Sequence, residues 1–584
     1  MAAPMGRVSL WFHCRWLCFP LRVETKLRVT EGRFRSTEAA AAALKQQQSP
    51  GNEEIAADTT TGTKKKTFSK VLAERREQAQ RTVLINCPSK INEKKMLKYL
   101  STHGNIKSHF FYESYGMYAV VEFSEMDSIG SLQDATGTAL LVDDSPVPFK
   151  SRIFTLTLKN PQSQASEQTP VYWHKQTTIP VGELVKKLCN ANSVSEQLNM
   201  LTENYQLTEE NTKLRYLTCS LIQDIASAYF PDCVVKPFGS SVNSFGKLGC
   251  DLDMFLDLDG VRKKTTKRNT GPFNINYLMK RLPSERIATQ KILYAISEFI
   301  DNFGPGCVGV QKILNARCPL VKFSHQPSGF QCDLTTNNRY ALKSSELLYI
   351  YGSLDPRVRA LVFSVRCWAR AHAITSSIPG PWITNFSLTM MVLFFLQRRK
   401  PPVIPTLDQL KELADAEDKC IIEGYDCTLV SNLNKIKPTG NTDTLDVLLG
   451  DFFEYFGTFA FNRYSLNIRK GKEQNKPEET ALHIQNPFEK NLNISKNVNA
   501  TQLERFVNLA RESAWLLQQA GKVPSSSSQP WGLAALLQES AGNDARKGPK
   551  RRRGLTSERI RSLLESLKIK DANGGERPFS TRVW

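Results

Sequence analysis

The sequence predicts an α+β protein of several domains, and three patterns carry that expectation. Residues 251–256, Asp-Leu-Asp-Met-Phe-Leu, alternate with the period of two that marks a strand with one buried face. Residues 445–459 repeat Leu and Phe at offsets of three and four, the stripe of an amphipathic helix. Between about residues 80 and 150, a strand at 83–86, a helix at 92–100 and a strand at 118–123 make a small α/β module. A chain of 584 residues is too long for one core and suggests about three or four domains.

The strand at 251–256 also carries chemistry. Asp251 and Asp253 share one face, while Leu252, Met254 and Leu256 share the other and can be buried. Two neighbouring carboxylates repel each other unless a divalent cation lies between them, as it does when two metal ions clamp a phosphoryl transfer. Upstream, Phe238-Gly239-Ser240-Ser241 can form a tight turn that offers backbone N–H groups and a hydroxyl to a triphosphate. On these residues alone, a metal pair and a solvated strand end are both open. A third acid follows. Residues 319–323 read as a short buried strand, Pro327-Ser328-Gly329 as a turn, and 330–334 as a second apolar strand that contains Asp333. Taken alone, Asp333 is a strand-end cap or a ligand. Beside the first pair in a sheet it completes a three-carboxylate site able to accept the proton of an attacking hydroxyl.

A Gly-Ser turn, Asp-x-Asp about ten residues on and a third Asp on a later strand resemble the DNA polymerase β-like nucleotidyltransferases. The resemblance extends through residues 195–520. Asn337-Asn338 is similar to the pair that contacts ribose in the non-template poly(A) and terminal uridylyl polymerases. Arg366 and Arg370 lie one turn apart on a helix over 361–370, where the family uses two cations to hold triphosphate; a solvated basic stripe would look the same. Asn385 and Phe386, ahead of the apolar helix 388–396, stand where the family places a phosphate contact and a base-stacking ring. The stripe at 445–459 resembles the poly(A)-polymerase-associated region and reads as core. Residues 484–489, Ile-Gln-Asn-Pro-Phe-Glu, with Asn493-Ile494, resemble the family's Asp-Pro-Phe-Glu…Asn-Val element, although Asn486 replaces its Asp. Family members that prefer UTP carry a histidine before that Asn-Val. Leu492 takes its place here, and Asn497-Val498 offers a second register in which Lys496 would.

Lys and Arg number 77 against 57 Asp and Glu, a net charge of +20 with a pI near 9.3, which suits a polyanionic partner. The longest apolar run, 390–396, is too short to cross a bilayer, so no membrane is expected. The 13 cysteines are scattered, with Cys14 and Cys18 near the start and no paired CxxC, a pattern of reduced thiols. The first 23 residues hold no acid but carry Arg7, Arg15 and Arg22 among Leu10, Trp11, Phe12, Leu17 and Phe19. That pattern fits a mitochondrial transit peptide with processing near Arg33-Phe34-Arg35-Ser36; a disordered basic tail is the alternative.

The α/β module resembles an RNA-recognition motif with a degraded stacking platform. Leu84 and Val120 fill two places that the motif gives to aromatics, and Tyr118 alone remains. Such a face is expected to pack or self-associate. Lys547, Lys550 and Arg551 to Arg553 form a basic run, and residues 262–268 a second one; either could carry RNA.

The expected organisation is a transit peptide at 1–36, a linker at 37–74, the RRM-like module at 75–150 and a linker at 151–194. A nucleotidyltransferase palm follows at 195–345, a helical poly(A)-polymerase-associated domain at 346–520, and a Ser-rich linker with a basic tail at 521–584. The resemblance implies template-independent addition of AMP residues to RNA 3′ ends in the mitochondrial matrix, with ATP as substrate and Mg²⁺ or Mn²⁺ as cofactor. Its catalytic and metal residues would be Asp251, Asp253 and Asp333. Its nucleotide contacts would be Gly239, Ser240, Asn338, Arg366, Arg370, Asn385 and Phe386, with Leu492 selecting the base. A homodimer through the RRM-like module is a further expectation. A terminal uridylyltransferase is the nearest alternative; an inactive RNA-binding scaffold would require loss of one of the three acids, and none is replaced.

Overall fold

Alternation in the sequence becomes two mixed sheets and one helical core. The computed structural model describes residues 66–89, 91–135, 148–157, 171–259, 282–520 and 529–538. The transit peptide, the cysteines at 14 and 18, the 262–268 loop and the 547–553 run lie outside the described residues.

After helix α1 (Phe68–Gln80), the N-terminal module runs β1 (Thr82–Cys87), α2 (Glu93–Leu100), β2 (Ile106–Glu113), β3 (Met117–Phe123), α3 (Asp127–Ala135), β4 (Ile153–Thr155) and β5 (Trp173–His174). The strands lie in the order β4-β1-β3-β2-β5. One sheet face presents Val83, Ile85, Ala119 and Val121 to Met96, Leu100, Ile129 and Leu132 of the covering helices. The opposite face, with Leu84, Phe110, Tyr112, Tyr118 and Val120, is buried in the same apolar cluster as the palm residues Leu214, Leu217 and Phe330. Packing therefore holds for the degraded platform, but the partner is the palm of the same chain. Tyr112 Oη donates to Pro327 O at 2.7 Å, and buried Arg152 donates to Asp224 at 2.8 Å and to Ser220 at 2.6 Å.

Three helices lead into the palm: α4 (Val181–Cys189), α5 (Val194–Tyr205) and α6 (Glu209–Ser227). Its sheet uses β6 (Val234–Pro237), β7 (Leu252–Asp257), β8 (Cys307–Ile313), β9 (Leu320–His325) and β10 (Phe330–Thr335), with helix α7 (Glu285–Phe303) before β8. The order is β6-β7-β10-β9-β8, with only β7 and β10 parallel among these neighbours. Leu252, Met254, Leu256, Cys332, Leu334, Val321 and Phe323 face α6 and α7 and are fully buried or nearly so. The acids sit on the other face.

The helical domain contains α8 (Arg339–Leu354), α9 (Pro356–Ala371), α10 (Asn385–Arg398), α11 (Leu407–Glu412), α12 (Leu445–Thr458), α13 (Ala500–Ala520) and α14 (Gly532–Leu537). Helix α10 is apolar around its whole circumference and is buried from Ser387 to Gln397, as such a helix must be. The expected linker at 151–194 instead contributes β4, β5 and α4, and the expected tail contributes α14. Leu184, Leu188, Leu198, Leu533 and Leu537 all belong to the helical core, so α4, α5 and α14 close it from both ends of the chain. No described helix is long and apolar enough to cross a membrane.

Candidate active site

The site begins where β6 ends. Phe238 is extended, and Gly239–Ser241 turn once in a tight 3₁₀ turn with Gly239 at φ +62°. A Cβ at Gly239 would lie 2.6 Å from Asp253 Oδ2, so both the backbone angle and the neighbouring carboxylate demand glycine. Phe238 N–H donates to Asp253 O at 3.0 Å, which ties the turn to β7. The Gly239 N–H is already committed to Ser345 Oγ at 2.8 Å, not turned outward as the sequence suggested. Ser240 Oγ and Cys250 Sγ share a hydrogen bond at 3.2 Å.

Asp253 and Asp333 are paired in register on adjacent parallel strands, and Asp251 enters the same face from just ahead of β7. Burial first, then Asp333 and Asp251, push the Asp253 carboxyl up to about 7. Burial also raises Asp251, against the pull of Lys322. Lys322 of β9 is in register with Asp333 and places Nζ 2.7 Å from its Oδ1 and 4.0 Å from Asp251 Oδ2. Burial lowers the Lys322 pKa, but the carboxylates outweigh it and the net shift is upward. Among the described residues, no three His, Cys, Asp or Glu side chains converge on one point as a preformed cage. The donor set still suits divalent cations, because three carboxylates crowd one sheet face and burial already penalises their charge.

Behind the acids, fully buried Arg215 of α6 spends its fork on the connection between turn and strand. It donates to Ser241 Oγ at 2.9 Å, Asp251 O at 3.0 Å, Cys250 O at 2.7 Å and Asn211 Oδ1 at 2.8 Å. Neither Arg215 nor Lys322 stood out in the sequence. Lys322 is a single basic residue in an apolar run and Arg215 follows Lys213 on a mixed helix, and only register and packing show what each faces.

The expected nucleotide contacts fall in two groups. Asn338 caps α8, accepting from Ala341 N–H at 3.3 Å, and lines a cavity of about 440 Å³ with Ala341, Ser344 and Leu492. Arg317 and Glu489 join across the same cavity by an ion pair at 2.9 Å that links palm to helical domain. The other group lies on α9 and α10. Arg366 is half-buried, donates Nη1 to Phe245 O at 2.9 Å, and leaves its buried Nε without a partner; burial pulls its pKa down to about 10. Arg370, one turn on, is exposed. Asn385 is exposed at the start of α10, and Phe386 is half-buried against the helical core.

Asn486 needs no charge to do its work here. Its Oδ1 accepts from Phe488 N–H at 2.9 Å and Glu489 N–H at 3.0 Å, a turn that any side-chain oxygen can make. The second register also separates from the first. Asn497 donates to Gly380 O and Trp382 O, whereas Leu492 reaches the cavity that holds Asn338.

A palm with paired acids beside a Gly-Ser turn, joined to a helical domain across a nucleotide-sized cleft, defines a nucleotidyltransferase of the polymerase β-like class. Residues 194–353 match the model of the central palm domain described as "Poly(A) RNA polymerase, mitochondrial-like", and residues 67–137 match the RL domain. Human mitochondrial poly(A) RNA polymerase is 64% identical over 526 residues, covering 89% of this chain and 90% of its own. The mouse protein of that name is 62% identical over 528 residues, with the same coverage. A crystal structure of mtPAP in complex with ATPγS superposes with a TM-score of 0.77 at 64% identity, covering 81% of this chain and all of that one. The chain belongs to the mitochondrial poly(A) RNA polymerase family.

Proposed function

We propose that this nucleotidyltransferase adds AMP residues to RNA 3′ ends without a template, and that Asp251, Asp253 and Asp333 carry the reaction. The observation behind the site is the in-register pairing of Asp253 with Asp333 beside a turn that only glycine can make. Asp251 and Asp253 would hold both divalent ions, and Asp333 would complete the site of the first. Bound there, the ions supply Lewis-acid activation of the 3′-hydroxyl and neutralise charge on the leaving pyrophosphate.

The chain's own groups supply the rest. Asp333 accepts the hydroxyl proton or orients it for transfer. Ser240 and Asn385 bond phosphate oxygens, while Arg366 and Arg370 balance the charge that develops as pyrophosphate departs. Asn338 bonds the ribose, Phe386 stacks on the base, and Leu492 gives the base edge an apolar wall where a uracil would seek a donor.

The enzyme is mitochondrial, and its compartment is the matrix. Mg²⁺ or Mn²⁺ serves the carboxylates. A homodimer through the N-terminal module stays a proposal without the sheet face that motivated it, because that face is packed on the palm. Terminal uridylylation is the weaker reading, because position 492 lacks the histidine of UTP-preferring relatives. Extension of an oligo(A) RNA primer with each of the four nucleoside triphosphates tests the function. ATP should give the longest products, and equal or greater use of UTP would overturn the assignment.

A further inference from the structure

Register lays out the open face of the palm sheet as a grid. One row runs Asp253, Asp333, Lys322 and Gln311 across β7, β10, β9 and β8. Two residues back along β10, on the same face, Gln331 pairs with Ser324, which pairs with Val308. Three strand spacings of about 4.8 Å make the row roughly 14 Å long. Gln331 and Gln311 are exposed, Ser324 and Lys322 are half-buried, and Gln331 Nε2 donates to Ser324 Oγ at 3.1 Å. A sheet face left polar beside a buried one of Val321, Phe323, Cys332 and Leu334 is built to meet something hydrated.

We propose that this face, from Asp333 across β9 to β8, is the track for the 3′-terminal nucleotides of the RNA. The inference rests on the reading of the three aspartates as the catalytic acids. Two observations choose the occupant. The nucleotide groups all lie elsewhere: the Gly239–Ser240 turn follows β6, α9 and α10 belong to the helical domain, and the cavity of Asn338 and Leu492 opens beyond the C-terminal end of β10. The attacking hydroxyl must therefore reach Asp333 from the side of Gln331, Lys322 and Gln311. The chemistry of that side also fits a ribose-phosphate chain. Lys322 offers one cation beside the acids, so a phosphate can approach without meeting bare negative charge. Gln331, Ser324 and Gln311 offer neutral donors and acceptors of the kind that engage a 2′-hydroxyl.

The test uses the full-length enzyme with Gln331→Glu and Gln311→Glu combined, both at exposed positions that tolerate the change. KM for an oligo(A) RNA primer should rise about tenfold, because two new charges face the phosphates. The KM for ATP should stay within about twofold of wild type. A primer with 4-thiouridine at its penultimate position, irradiated on the wild-type enzyme, should cross-link within 307–313 or 320–335. An unchanged primer KM, an equal rise in both KM values, or cross-links confined to other segments each overturns the track. Failure of the acid assignment would look different: Asp333→Asn would retain turnover, whatever the glutamine variants do to primer KM.

Discussion

Gly239 leaves no room for a side chain beside Asp253: a Cβ there would stand 2.6 Å from Asp253 Oδ2. The Gly239 turn and strand β7 are thus packed to a tolerance of one methyl group. Gly239→Ala should cost about 1–2 kcal/mol of stability from its left-handed φ. It should cost more in activity, because the cheapest relief is rotation of Asp253 away from the turn. A misplacement of that size is expected to lower kcat about a hundredfold. Thermal melting and single-nucleotide extension on one preparation separate the two effects. A variant that melts slightly low yet extends at wild-type rate would refute the coupling.

Asp251→Asn, Asp253→Asn and Asp333→Asn should each abolish nucleotide addition with the fold retained. Loss of one ligand from such a centre removes several kcal/mol of transition-state stabilisation, roughly three or more decades in rate. The acids share an open sheet face whose opposite side forms the core, so an isosteric amide disturbs no packing. Circular dichroism together with primer extension checks both halves of this expectation.

The Asp253 carboxyl is pushed up to about 7, first by burial and then by Asp333 and Asp251. A carboxyl whose folded pKa lies above its unfolded value of 3.8 binds its proton more tightly in the native state. The metal-free protein therefore loses stability as pH rises from about 4 to about 7, with the full penalty present above 7. The penalty is on the order of 4 kcal/mol at most. In EDTA, Asp253→Asn should melt above wild type at pH 7.5, and the difference should shrink by pH 5. Added Mg²⁺ should raise the wild-type melting temperature more at pH 7.5 than at pH 5. A pH-independent difference between the two proteins would rule out Asp253 as the titrating group.

Sequence carried the acids and strands well because period-two alternation and the Asp-x-Asp spacing are local. It did not show Arg215 or Lys322, whose meaning lies in a cross-strand register and in a helix 36 residues from the carbonyl it binds. The same limit hid β2. Ile106–Glu113 mixes Lys107, Ser108 and His109 with Phe110, Phe111 and Tyr112, and its second face is apolar only because it docks on the palm. Helices α4 and α14 look like linker and tail in sequence because each is short and gains its burial only by packing into the helical core.

That docked face yields a prediction of its own. Val120 is 2% exposed and lies in the apolar cluster shared with Leu214 and Leu217. Val120→Glu buries a carboxylate with no designed partner and should destabilise the chain by roughly 3 kcal/mol or more. Tyr112→Phe, which deletes only the bond to Pro327 O, should cost about 1 kcal/mol. Both losses should appear in denaturant unfolding at every protein concentration, because the packing is intramolecular. A destabilisation that vanishes on dilution would point to a second copy instead.

The proposed base selection turns on Leu492. It lines the cavity of Asn338 and Ala341, and the backbone around it is fixed: Asn486 N–H donates to Leu492 O at 2.8 Å, and Leu492 N–H to Glu489 O at 2.9 Å. A histidine at 492 would present a ring N–H from the same backbone position, where leucine presents only methyl groups. Uracil would regain a partner worth roughly 1–3 kcal/mol, while adenine would keep its stacking on Phe386 and gain nothing. Leu492→His should therefore raise the UTP-to-ATP ratio of kcat/KM by about ten- to a hundredfold. The Arg317–Glu489 ion pair closes the same cavity, so Arg317→Ala should weaken selection for every base without favouring uracil. Single-nucleotide extension with the four triphosphates distinguishes these outcomes. An unchanged ratio in Leu492→His would remove Leu492 from base selection and leave Phe386 stacking as the source of the ATP preference.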